Sequence, residues 1–129
     1  MEIPPPFDAL WFKLLIGFMF GAALGSFITM LSYRLPRRLS IVTPRSHCTV
    51  CQSTLSPAEL VPIASWVVQR GECRTCHAFM GWRYLFIEIL TGLFVMLSFA
   101  LIGFSFLLFL PVVLIVALIT SATIWLERK

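Results

Sequence analysis

Residues 14–33 read LLIGFMFGAALGSFITMLSY, twenty positions without a charge. At about 1.5 Å of helical rise per residue, such a run covers the roughly 30 Å hydrocarbon core of a bilayer and is expected to form a membrane-spanning helix. Within it Gly17, Gly21 and Gly25 recur every fourth residue, with Ala22 and Ser26 alongside. Small residues at that interval make one smooth stripe along a helix, where another helix can approach closely. A packing face is expected there.

The remaining sequence has the same character. The chain has 129 residues with a mean hydropathy of +0.92, and 59% of them are hydrophobic while 12% are charged. A soluble domain carries roughly a quarter of its residues as charges, so a soluble globular enzyme is excluded, as is a disordered or collagen-like chain. From Tyr84 to Leu126 the only charge in 43 residues is Glu88. That stretch is too long for one span and suits two, with a break near Gly103–Ser105 and Pro111 in the first turns of the last helix. Residues 1–8, MEIPPPFD, form a short acidic leader too polar and broken for a signal peptide. Glu127-Arg128-Lys129 closes the sequence as a charged stop.

Charge sets the orientation. Residues 34–83 hold seven arginines (34, 37, 38, 45, 70, 74 and 83) against two glutamates (59 and 72), a net +5. Beside membrane spans, positive loops stay in the cytoplasm, and this basic patch is read as topology and not as a nucleic-acid site. The expected fold is an all-α membrane protein with three transmembrane helices and a cytoplasmic four-cysteine zinc-ribbon insertion between the first and second. Its parts are a leader and first span (1–33), a zinc-ribbon loop (34–83) and a helical hairpin (84–129). The N-terminus is expected outside, and the loop and C-terminus inside.

All four cysteines lie in that loop, as His47-Cys48-Thr49-Val50-Cys51 and Glu72-Cys73-Arg74-Thr75-Cys76-His77. Two residues between cysteines let both sulfurs of a knuckle face one point, and two knuckles supply the four tetrahedral ligands that Zn2+ prefers. A reducing cytoplasm argues against disulfides. Cys48, Cys51, Cys73 and Cys76 are therefore expected to hold structural zinc, with Arg45, Arg70 and Arg74 offsetting the charge of four thiolates. His47 and His77 adjoin the knuckles, but four thiolates already close the site and leave no position for a catalytic water. Between the knuckles, Ser56-Pro57-Ala58-Glu59 fits a helix start. Pro62 bends or ends any helix in the apolar run that follows. Leu60, Val61, Ile63, Trp66, Val67 and Val68 are expected either against the bilayer interface or under the zinc ribbon.

These residues resemble the type IV prepilin peptidases, bacterial inner-membrane aspartyl proteases of which many also methylate the new N-terminal amine. The resemblance rests on Gly25-Ser26-Phe27, Tyr33-Arg34-Leu35-Pro36, Pro44-Arg45-Ser46-His47-Cys48, Val61-Pro62-Ile63 through Ser65-Trp66, Arg70-Gly71-Glu72-Cys73-Arg74, Trp82-Arg83-Tyr84 and Ile87-Glu88-Ile89-Leu90-Thr91. It covers residues 21–92 and implies the family's N-terminal, zinc-bearing half. The family usually has Asn where Thr29 stands, glycine or a similar residue where Gln52 and His77 stand, and Pro where Leu85 stands. Its first catalytic aspartate falls where this chain reads Ala122-Thr123-Ile124-Trp125-Leu126-Glu127, which puts Trp125 at that position. Its second, in a Gly-Asp motif, has no counterpart here.

An aspartyl dyad needs two carboxylates sharing one proton, and within the spans the chain offers only Glu88. An acid so near Arg83 is expected to pair with an arginine or to cap against the loop. No catalytic residue is assigned, and no organic cofactor, since no glycine-rich turn of the dinucleotide kind is present. The function expected is a non-proteolytic, prepilin-peptidase-like module of the bacterial inner membrane that acts through protein contact. Its partners are the lipid bilayer and membrane proteins: a prepilin, a separate catalytic half or a larger complex. The alternative is part of a prepilin-processing enzyme, either a split leader-peptidase half or an N-methyltransferase acting on pilin N-termini. The phenylalanines between Phe94 and Phe109 are expected to face lipid or a partner.

Overall fold

The structure, a computed structural model, describes residues 9–103 and 105–129. The acidic leader 1–8 and Phe104 lie outside the described residues. Four α-helices follow one another: α1 (Leu10–Arg34), the short α2 (Ala64–Val68), α3 (Trp82–Ile102) and α4 (Phe109–Glu127). Single 3-10 turns stand at Pro57–Leu60 and Phe106–Leu108. Among the described residues there is no strand, only the isolated bridges His47–Thr54 and Glu72–Phe79. Helices α1 and α3, and α4 with the turn before it, are long and apolar enough to cross a membrane. The break comes where glycine permits it: Gly103 closes α3 with φ 72°, and Pro111 sits in the first turn of α4. Helix α1 starts four residues ahead of the uncharged run and takes in Lys13.

The small-residue stripe of α1 is buried against α3. A β-carbon on Gly17 would stand 2.9 Å from Met96 Cα, one on Gly21 2.6 Å from the Thr91 carbonyl oxygen, and one on Gly25 2.7 Å from Glu88 Cα. These are backbone contacts that no side chain at those positions could share. Gly92 returns the relation from α3, with the Phe18 ring 2.9 Å from where its β-carbon would be. Ile28, Val95 and Thr91 are fully enclosed at this seam. Phe99 is buried beside Gly17, so it belongs to the seam and not to the lipid-facing set; Phe94, Phe106 and Phe109 remain exposed. Helix α4 is held more loosely, with Thr123 its one buried residue.

The end of α1, the start of α3 and the end of α4 meet on one face. Glu127 accepts from Arg83 at 2.7 Å and lies 3.7 Å from Arg37, whose guanidinium covers the Tyr33 ring at 4.1 Å from its centroid. Arg34, 6% exposed, donates to the carbonyls of Ser40 and Pro44, both at 2.7 Å, and so folds the chain back over the end of α1. A guanidinium suits this because its planar fork serves two acceptors at once.

Replacing Gly21 with Val is expected to force α1 off α3 at a cost of about 1–3 kcal/mol, the usual penalty for overpacking. The exposed Ala23, next on the helix but one, takes the same substitution without loss. Thermal unfolding of Gly21→Val and Ala23→Val in the same detergent checks this; equal midpoints would show that the stripe is not the seam.

Candidate metal centre

Each cysteine pair sits in a tight turn built by the same local hydrogen bonds. In the first, the Cys48 N–H donates to Ser53 O, Gln52 N–H to Cys48 O, and Val50 N–H to the Cys48 sulfur at 3.5 Å. In the second, Cys73 N–H donates to Ala78 O, His77 N–H to Cys73 O, and Thr75 N–H to the Cys73 sulfur at 3.4 Å. Both turns end by passing through the left-handed region, at Gln52 (φ 63°) and His77 (φ 57°). These are the two positions where the resemblance anticipates glycine, and the backbone explains why.

The turns bring all four sulfurs within 4.8 Å of one another. Across the knuckles, Cys48 lies 3.8 Å from Cys76 and Cys51 3.8 Å from Cys73. Those separations are far beyond the roughly 2.05 Å of a disulfide, and all four are free thiols. Cys48 and Cys73 are buried, while Cys51 and Cys76 are partly so. The set can bind a metal ion. The two histidines stay outside it: His77 Nδ1 is 3.6 Å from the Glu72 carboxylate, and His47 Nδ1 is 3.1 Å from the Arg45 carbonyl oxygen.

The four thiols are electrostatically unequal. Backbone hydrogen bonds from Cys76 and Thr75 hold Cys73 down at about 6. Hydrogen bonding by Ser53 lowers Cys51. At Cys76 the Ala78 backbone pulls downward, but burial and hydrogen bonding to Cys51, Cys48 and Cys73 outweigh it and push the thiol up to about 11. Crowded sulfurs do not all shed protons unaided; a cation at their centre supplies the attraction that completes the set.

The loop is anchored to the spans at two points. Trp66 packs on Trp82 with ring centroids 4.7 Å apart, against Phe79 at 6.4 Å, and its Nε1 donates to Gly81 O at 3.2 Å. Gly71 (φ 73°) passes so close beneath Trp66 that a β-carbon would stand 2.7 Å from the indole. The second anchor is Glu88. Its carboxylate accepts the Ile63 N–H at 2.7 Å, so the acid caps the loop and meets no arginine in an ion pair among the described residues. Ile63 holds φ 61° and ψ −55°, and the Ala64 N–H reaches back to Pro62 O at 2.5 Å. This is a γ-turn of the rarer, strained hand. Pro62 announced a break, but nothing in the residue pattern announced a β-branched side chain at positive φ. Ser56 and Glu59 do begin a helical turn, of the 3-10 kind, with the Glu59 carboxylate accepting the Ser56 N–H at 2.7 Å. Between the first knuckle, this segment and α1 and α3 lies a cavity of about 260 Å³, lined among others by Ser26, Thr29, Tyr33, Trp66, Tyr84 and Glu88.

Glycine at position 52 or 77 is expected to stabilise the knuckles. A left-handed non-glycine residue costs about 1–2 kcal/mol, and glycine's extra chain entropy returns about 0.5–1. The gain is larger for Gln52→Gly than for His77→Gly, because histidine tolerates that region better. Unfolding midpoints of the two variants measure it, and a loss at both positions contradicts it.

Residues 19–102 match the bacterial peptidase A24 N-terminal domain family. The prepilin leader peptidase/N-methyltransferase of Bacillus subtilis (strain 168) is 41% identical over 105 residues, 81% of this chain and 42% of that protein. The corresponding protein of Myxococcus xanthus (strain DK1622) is 36% identical, over 86% of this chain and 33% of its own length. A type 4 prepilin-like proteins leader peptide-processing enzyme of Escherichia coli O78:H11 is 31% identical over 60% of the chain and 36% of that enzyme. No solved structure matches. The chain thus spans about two fifths or less of these relatives. With its paired knuckles, its glycine seam and this likeness over most of its length, the chain belongs to the type IV prepilin peptidase family.

Proposed function

We propose that this chain is a non-proteolytic, prepilin-peptidase-like module of the bacterial inner membrane, acting through protein contact within a membrane complex. The state of Glu88 supports this most. It is the one carboxylate in the interior of the described spans, Glu127 standing at the last position of α4; it is 8% exposed and accepts the Ile63 N–H at 2.7 Å. A peptide-cleaving dyad needs a second carboxylate beside the first. Glu127 is instead held by Arg83 and Arg37. Trp125, at the position the resemblance gives to an aspartate, is 56% exposed beneath the Lys129 ammonium, 4.0 Å from its ring centroid.

In this reading Cys48, Cys51, Cys73 and Cys76 hold structural Zn2+. A tetrahedral ion with bonds of about 2.3 Å needs sulfurs about 3.8 Å apart, and the cross-knuckle pairs stand at 3.8 Å. The ion fixes the loop 34–83 between the parts 1–33 and 84–129, with the loop and C-terminus in the cytoplasm, where the net +5 of that loop belongs. The purified protein is expected to carry one zinc per chain. Cys48→Ser and Cys76→Ser each lose it, and with it the protease resistance of residues 45–80; elemental analysis showing well under one ion in the unaltered protein overturns this.

The relatives are named both leader peptidase and N-methyltransferase, so the competing reading is a share in prepilin processing. Purification of the tagged chain from its own membranes in mild detergent, with mass spectrometry of what stays bound, separates the two. A fixed set of membrane proteins without aspartyl-protease chemistry is expected. A bound chain carrying two intramembrane aspartates, together with leader cleavage on mixing, would replace the proposal with a split peptidase. Methylation of a pilin N-terminus by this chain alone would replace it with a transferase.

A further inference from the structure

The segment between the knuckles descends past the mouth of the helix pair. Trp66 is tied to Gly81, immediately before α3, whereas Ile63 is tied to Glu88, six residues into α3. Six residues advance about 9 Å along a helix. A glutamate side chain leans back toward the helix start, so the turn at Ile63 meets α3 between Trp82 and Glu88 and inside its apolar span. Arg83 and Arg37, bound to Glu127, mark the polar face of the bundle, and the Glu88 carboxylate stands on the apolar side of that arginine pair in sequence and along α3.

Irregular backbone at this level needs internal partners, since hydrocarbon offers none. The turn 62–65 meets that requirement. Pro62 brings no N–H. Ile63 N–H goes to Glu88, Ala64 N–H to Pro62 O, Ser65 N–H to Val61 O at 3.1 Å and Val67 N–H to Ile63 O at 3.0 Å. Meanwhile its side chains are apolar and uncovered: Leu60 is 40% exposed, Val61 48%, Val67 59% and Val68 73%. A hydrogen-bonded turn beneath exposed aliphatic side chains, tied to a helix apolar enough to cross a membrane, is the arrangement of an interfacial membrane element.

We propose that residues 60–68 form a wedge inserted into the bilayer at the face carrying the metal loop, with lipid acyl chains as its partner and Glu88 as the group that satisfies its turn. The wedge is independent of whether the module binds protein or processes prepilins. It also gives the intramembrane acid a task, because without Glu88 the Ile63 N–H of the strained turn loses its acceptor at a level where lipid supplies none.

Val50, on the first knuckle, is 68% exposed and provides an internal reference of the same residue type. The unaltered protein in phospholipid nanodiscs is exposed to hydroxyl radicals, and oxidation is read by peptide mass. Val50 is expected to oxidise about tenfold faster than Val67 and Val68, as lipid excludes the radical from the latter. Oxidation at equal rates overturns the proposal. In native membranes, benzoylphenylalanine in place of Val61 or Val67 is expected to give phospholipid adducts, and in place of Val50 none. Cross-links from Val61 and Val67 to a protein, with no lipid adduct, would overturn the wedge and make the segment a docking surface.

Discussion

The closeness of α1 to α3 at Gly25 is the constraint from which the rest of the structure follows. With a β-carbon's room denied at that point, the backbones meet where Glu88 leaves α3, and the buried carboxylate needs a donor. Ile63 supplies it. Because the loop between the knuckles is pinned there and again at Trp66, its two ends are brought over the same small area. Sulfurs from cysteines 25 residues apart in sequence, such as Cys48 and Cys73, then fall within reach of one ion. Membrane packing and metal geometry are thus one problem solved at one seam.

The polar face shows the same economy. Arg34 and Arg83 stand at the ends of adjacent spans, yet they do different work. Arg34 is consumed by two carbonyls of its own chain, and Arg83 by a carboxylate of α4. Burying the Arg34 guanidinium is tolerable because two of its N–H groups meet carbonyl acceptors. Arg37 shares Glu127 and covers Tyr33, and the other arginines of the loop add their charge to a field of the kind that keeps a loop on one side of a membrane.

Much of this was legible in the residues. Spans declare themselves by uncharged length, a packing stripe by glycine at every fourth position, and a four-sulfur centre by two short cysteine spacings. These signals are local, and the structure places each where the spacing put it. What could not be read is relational. Phe99 looks like any lipid-facing phenylalanine until Gly17 is seen opposite it. Glu88 could have met an arginine or a backbone amide, and only the path of a loop 25 residues upstream decides between them. The positive φ at Ile63 has no signature at all, because propensity argues against a β-branched residue there and tertiary anchoring overrules it.

The looseness of α4 has a consequence for how such a bundle behaves as a whole. Cooperative units in a fold open in the order of what each has to lose. Helix α4 contributes one buried residue and the two ion pairs of Glu127 to the rest, whereas α1 and α3 share a seam of glycines and the anchors of the cysteine loop. Peeling α4 away breaks the contacts of Glu127 with Arg83 and Arg37, and none of the hydrogen bonds that hold the cysteine turns or Ile63 runs to α4. Helix α4 is therefore the element with the least to lose, and opening begins there before it reaches the α1–α3 seam or the four-cysteine cluster.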